Sequence, residues 1–214
     1  MFAFLADGGP YLWLLLLLSV TSLAIILERG WLLRRSRVMP PALVQALAAA
    51  EPAALRGACA AAPSTLARLV VTVLDHLRWP KEEAASAVQV RARQEITRME
   101  RGLVILEVIV GIAPLIGLVG TINGIIPLFA DFGKANGGDY ALLAKGIGAA
   151  LNKTLAGLLV AIPTLVAWSY FNKKVEVLSV ELEGHCDHLI RREYLGAAGA
   201  ADSGKAGRRA AATP

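Results

Sequence analysis

The chain has 214 residues, of which 56% are hydrophobic and 18% charged, with a mean hydropathy of +0.55. That balance is high in apolar residues for a soluble domain. The formal net charge of +5 comes with no nucleic-acid module, and the distribution of basic residues gives it a topological origin. Three apolar stretches account for the composition. The first runs from Tyr11 to Leu27, with Pro10 and Trp31 as interface markers. It has no Lys or Arg before it and no small-residue cleavage site after it, and Glu28-Arg29 and Arg34-Arg35 follow as a stop-transfer pattern. An uncleaved anchor is therefore expected. The second stretch runs from Leu103 to Ala130, interrupted by Glu107 and Asn123, and the third from Ile147 to Phe171, interrupted by Asn152 and Lys153. A bilayer core of about 30 Å needs roughly 20 helical residues, so both can span it.

Between the first two stretches, segment 28–102 carries twelve Lys and Arg against seven acids. The linker between the second and third is neutral, with Asp131 and Asp139 against Lys134 and Lys145. Lys173 and Lys174 come after the third. Basic loops stay cytoplasmic. The order expected is an external N-terminus (1–9), span one (10–28), a cytoplasmic helical loop (29–102) and span two (103–130). An external hairpin (131–146), span three (147–171), a cytoplasmic helix (172–195) and a disordered Ala/Gly/Arg-rich tail (196–214) complete it. This predicts an all-α integral membrane protein with three transmembrane helices, spans two and three extended into long cytoplasmic helices. Cys59 and Cys186 both fall on the reducing side, so no structural disulfide is expected. His185, Cys186 and His188 would spread over different faces of a helix, so no metal site is expected there.

Within the loop, Pro40-Pro41 starts a helix through Ala50, Pro52 and Pro63 punctuate the next stretch, and Trp79-Pro80 starts another helix. From there the pattern predicts one helix from Pro80 to Phe129, distorted locally at Pro114. Beyond span three, Val175, Leu178, Leu182 and Leu189 recur at nearly heptad spacing. That pattern suits a helix packing on a neighbour below the membrane.

Spans two and three hold residues that a lipid-facing helix does not need. Gly120-x-x-x-Gly124, Gly117-x-x-x-Thr121 and Gly157-x-x-x-Ala161 permit close helix contact, either within one subunit or between subunits. Thr121 lies about 27 Å above Leu103, and Thr154 about 26 Å above Phe171, at 1.5 Å per residue. Two hydroxyls at matched depth would make a polar ring if several copies assembled, although each can also bond its own backbone. Glu107 is the only acid within the spans and shares a stripe with Pro114 and Thr121. It fits either a reach to the interface or a place at the inner mouth of a pore. Lys153 fits either snorkelling to the outer surface or an ion pair with a partner; Asn152 and Asn123 are further candidates for partner contact. No carboxylate lies at mid-membrane. A proton relay there would draw its acid from another polypeptide.

The stretch Ala113-Pro114-Leu115-Ile116-Gly117-Leu118-Val119-Gly120-Thr121 with Gly124 is one motif. Gly146-Ile147, Ala150-Leu151, Thr154, Gly157-Leu158 and Ala161-Ile162-Pro163 form a second. Together they resemble the MotA/TolQ/ExbB proton-channel family, most of all its ExbB/TolQ branch, over residues 10 to 195. The resemblance implies a homo-pentamer in the bacterial inner membrane, surrounding two copies of a single-span ExbD/TolR-like partner whose membrane aspartate takes the proton. It implies work delivered across the periplasm, for example to TonB-dependent uptake, with a TonB-like protein as a further partner and span one facing lipid. It also implies that Thr121 and Thr154 line the pore. The sequence departs from the pattern at Ala149, where many members carry glutamate, and Lys153 lies one turn away on the same face. Two other readings stand beside this one. One is a non-conducting scaffold, in which the small-residue stripes only assemble helices. The other is a gliding or flagellar stator, for which the loop is small and lacks a charged torque face. Neither a nucleophile–base pair, a phosphate loop nor a metal constellation is present, so neither enzyme activity nor a cofactor is expected.

Overall fold

A computed structural model describes residues 9–49, 51–134 and 140–210. Every regular element in it is a helix, and no strand occurs among the described residues. In chain order these are α1 (Gly9–Leu32), α2 (Arg35–Val38), α3 (Pro41–Ala49), α4 (Pro52–Ala61), α5 (Thr65–Asp75), α6 (Lys81–Glu100), α7 (Leu103–Lys134) and α8 (Tyr140–Ala210). Three of them are long and apolar enough to cross a membrane: Gly9–Leu32, Leu103–Gly133 and Tyr140–Leu195. The chain is thus an all-α, multi-pass membrane protein.

The contacts divide it into two units, one built from the chain up to Trp31 with Arg101–Asn172, the other from Leu32–Glu100 with Lys173 onward. In the first, Leu15 of α1 packs with Ile109 and Ala113 of α7 and Ala161 of α8. The buried residues of α1 are Leu12, Leu15, Ser22, Ile25 and Arg29, one stripe of a helix whose other faces expose Leu17, Val20, Leu23 and Leu27. A helix apolar all round with a narrow buried stripe is what lipid contact requires.

The second unit has an ordinary apolar core. Ser64 caps α5 by accepting from the Ala67 amide at 3.1 Å, which satisfies one of the first-turn N–H groups. Leu66, Leu69, Val70 and Val73 of α5 are buried, as are Ala84, Val88, Ala92 and Met99 of α6. Val175, Leu178, Leu182 and Leu189 of α8 all point inward, as their spacing predicts. Tyr194 ties the end of this stretch down by donating to the Trp79 carbonyl at 2.7 Å.

Two boundaries differ from the sequence expectation. The helix expected from Pro80 to Phe129 is broken at Arg101–Gly102, because Gly102 takes φ +89°, a conformation glycine adopts without steric cost. Conversely α7 runs unbroken through Pro114 and Pro127, and α8 through Pro163. The second difference is at the C-terminus. Helix α8 continues to Ala210, fifteen residues into the stretch expected to be disordered; alanine-rich sequence has high intrinsic helicity. The expected external N-terminus up to Gly8, the hairpin tip at 135–139 and the last four residues lie outside the described residues.

Candidate functional site

Helices α7 and α8 meet along a seam of small residues. A β-carbon built on Gly157 would stand 2.6 Å from the Ala113 carbonyl oxygen and 3.2 Å from the Gly117 Cα. One built on Gly117 would stand 2.9 Å from the Lys153 carbonyl oxygen and 3.0 Å from the Thr154 Cα. Here backbone touches backbone, the approach that small-residue spacing permits. Gly120 and Gly124 continue the seam toward the C-terminal end of α7 with a different neighbour. They accommodate the side chain of Lys153, whose Cδ would lie 3.3 Å from a β-carbon at Gly120 and whose Nζ would lie 3.3 Å from one at Gly124. Tyr11 of α1 closes on Gly120 through its Cβ, at the same 3.3 Å.

This close approach brings Thr121 and Thr154 together. Their hydroxyls hydrogen-bond one another. Thr121 Oγ1 also lies 3.1 Å from the Gly117 carbonyl on its own helix and 3.0 Å from the Ala150 carbonyl across the seam. Thr154 Oγ1 lies 3.3 Å from the Gly117 carbonyl. Thr121 is 6% exposed and Thr154 half-buried. Matched depth on adjacent helices therefore becomes direct contact within one protomer.

The remaining candidates divide by exposure. Glu107 is exposed, fourteen residues before Thr121, about 21 Å along the helix; it makes no ion pair among the described residues. Pro114 is half-buried and Thr121 buried, so the stripe joining the three rotates from surface to seam, as a seven-residue repeat does on a straight helix. Asn123, Asn152, Ala149 and Pro163 are exposed. Lys153 runs along α7 from Gly120 to Gly124, one helical turn, and makes no hydrogen bond or ion pair among the described residues. Its stem covers the glycine trough, which sequence reasoning did not foresee. Thr164 also went unnoticed; it is buried in α8 and donates to the Val160 carbonyl at 2.7 Å. The recurrence Ala150, Thr154, Gly157, Ala161, Thr164 at spacings of three and four carried that signal.

Away from the spans, both cysteines are free and buried. Burial pushes the Cys186 thiol up to about 12, with the Glu183 carboxylate adding to the effect. It also raises the Cys59 thiol, against a smaller opposing pull from Arg56. Neither is a nucleophile at neutral pH. Glu95, 0% exposed, is held by three arginines: Arg68 at 2.5 Å, Arg98 at 3.0 Å and Arg91 at 3.2 Å.

These features define a multi-pass helical membrane protein with a hydroxyl-bearing seam and, among the described residues, no acid beside it. The chain belongs to the MotA/TolQ/ExbB proton channel family, whose model matches residues 61–184. It is 37% identical over 169 residues to the putative biopolymer transport protein ExbB-like 1 of Synechocystis sp., covering 75% of this chain and 66% of that one. It is 40% identical over 98 residues to the biopolymer transport protein ExbB of Helicobacter pylori, covering 44% of this chain and 68% of that one. With ExbB of Neisseria gonorrhoeae the identity is 35% over 96 residues, 45% of this chain and 44% of that protein. The chain thus spans about two thirds of the first two relatives and under half of the third.

Proposed function

We propose that this chain is the ExbB-like subunit of a motor in the bacterial inner membrane driven by the proton-motive force. Five copies surround two copies of a single-span ExbD/TolR-like partner, with the N-terminus periplasmic and the C-terminus cytoplasmic. The partner's membrane aspartate takes the proton and comes to the level of Thr121 and Thr154. The work serves an outer-membrane process such as TonB-dependent uptake. The observation that carries this reading is the Thr121–Thr154 pair, a polar site built into apolar helices with no carboxylate of its own. A hydroxyl pair cannot relay protons through a titration of its own at physiological pH, so the acid is supplied by another chain. Family membership and the relatives named as biopolymer transport proteins support the same assignment.

The test replaces Thr154 with Ala in the complex reconstituted with its partner and measures partner-dependent energised function. Loss of function is expected; wild-type function overturns the reading. A second reading, a non-conducting scaffold, draws on Ala149 and Lys153, which leave this region without an acid and with a cation. Collapsing the proton gradient separates the two. A motor stops, whereas a scaffold continues to support its partner.

A further inference from the structure

We propose that the Thr121–Thr154 pair recognises the protonated, neutral form of the partner's carboxylic acid, by presenting oxygen lone pairs rather than a hydrogen. This rests on the proposed function, in which a foreign acid comes to the pair, and adds which of its two states the site holds.

The two hydroxyls have two hydrogens between them. Within reach are the Ala150 carbonyl, 3.0 Å from Thr121 Oγ1, and the Gly117 carbonyl, 3.1 Å from Thr121 Oγ1 and 3.3 Å from Thr154 Oγ1. The two hydroxyls also bond each other. The arrangement that uses both hydrogens inside the pair turns the Thr154 hydrogen inward, either to Thr121 Oγ1 or to the Gly117 carbonyl. In apolar surroundings a hydroxyl hydrogen has no water to turn to, so this arrangement is strongly preferred. Thr121 is enclosed and Thr154 is half-buried, so a visitor meets the pair on the side of Thr154 and its oxygen. With its hydrogen committed inward, that oxygen only accepts.

A carboxylic acid carries an O–H donor and fits this face; a carboxylate carries lone pairs only and does not. To bind the carboxylate, the Thr154 hydrogen must turn outward, while Thr121 donates to a carbonyl or to Thr154 Oγ1. That gives up the bond the Thr154 hydroxyl donates inside the pair. The ionised acid is held only at the cost of that bond.

Other charged and titratable groups near the seam act differently. Lys153 of α8 lies over Gly120 and Gly124, and successive residues project about 100° apart around the helix. Its ammonium favours the ionised acid, in opposition to the threonines. Tyr11 of α1 reaches Gly120. Glu107 of α7 lies fourteen residues before Thr121 on an exposed face.

The opposed signs of Thr154 and Lys153 make the test. The complex is reconstituted in vesicles with its ExbD/TolR-like partner carrying carbon-13 aspartate, and the infrared carbonyl band of the protonated acid is measured at one pH. Thr154→Val keeps the shape and removes the hydroxyl. The band is expected to fall by at least half, and Thr154→Ser to restore it. Lys153→Met is expected to raise it. An unchanged or stronger band in Thr154→Val overturns the proposal. Should that variant fail to assemble, an unchanged or weaker band in Lys153→Met overturns it instead. Loss of energised function in Thr154→Ala with no change of band in Thr154→Val would refute this inference alone. Wild-type function in Thr154→Ala would refute the reading on which it rests.

Discussion

Gly157 lies so close to the Ala113 carbonyl that a single added methyl would stand 2.6 Å from that oxygen. Neither atom can yield without moving a helix. Gly157→Ala is therefore expected to destabilise the α7–α8 pair by about 1–3 kcal/mol, the usual range for overpacking. Gly117→Ala, whose β-carbon would stand 2.9 Å from the Lys153 carbonyl, should behave alike. Gly148→Ala meets nothing within 4 Å and should be neutral or slightly stabilising. Unfolding in mixed micelles, read by circular dichroism, ranks the three. Equal stability of Gly157→Ala and Gly148→Ala would refute the close approach.

The seam was legible in the sequence because small residues at spacings of three and four have few purposes in an apolar span. The level of the two threonines followed from rise per residue alone. The direction of Lys153 did not, since snorkelling describes where a charge goes and not which trough its stem fills. The break at Gly102 was missed although a glycine after Arg101 is a common helix stop; the flanking pattern is helical on both sides, and nothing local distinguishes a tolerated glycine from a left-handed one. Glu95 was invisible for another reason. Its burial depends on Arg68 from α5, twenty-seven positions away, and in a charge-rich helix it reads as one more solvated acid.

The stem of Lys153, rather than its charge, fills the groove at Gly120 and Gly124. Lys153→Met should keep the fold as stable as the parent. Lys153→Ala should lose about 1–2 kcal/mol through the vacated methylenes. Thermal unfolding of the two variants in the same detergent checks this. Equal losses would show that the ammonium, not the hydrocarbon, holds the contact.

Glu95 is fully enclosed while its partners Arg68, Arg91 and Arg98 are partly open to solvent, at 42%, 31% and 58% side-chain exposure. Removing the carboxylate strands three cations around one hole, whereas removing one arginine leaves two. Glu95→Ala should cost about 3 kcal/mol or more. Arg98→Ala, the most exposed partner, should cost under about 1 kcal/mol. Urea unfolding followed by tryptophan fluorescence gives both values, and similar costs would mean that the acid is not the organising group.

Cys186 holds its proton more tightly in the folded chain than in the unfolded one, about 12 against an ordinary 9.0. Below pH 9 both states keep the proton and the thiol adds no pH dependence. Above pH 9 the unfolded chain ionises first, so this thiol's contribution to stability is lost as pH rises toward 12. Stability of Cys186→Ala relative to the parent should accordingly be flat from pH 6 to 8.5 and improve beyond 9. Maleimide labelling of Cys186 should stay slow across the lower range, because the thiolate is the reactive form. Rapid labelling at pH 7.5 in the folded protein would contradict the burial.

Gly102 combines two demands that separate substitutions can resolve. Its φ of +89° penalises any side chain by about 1–3 kcal/mol. In addition, a β-carbon there would stand 3.1 Å from Nε and 3.2 Å from Nη2 of Arg29. Gly102→Ala should therefore lose more than the backbone penalty alone. In an Arg29→Ala background the crowding disappears and only the backbone cost remains, so the same substitution should cost less there. A double-mutant cycle by chemical unfolding measures the difference as a coupling between the two positions. A coupling of zero would mean that the guanidinium moves aside without loss, and that the helix break is fixed by the glycine's backbone alone.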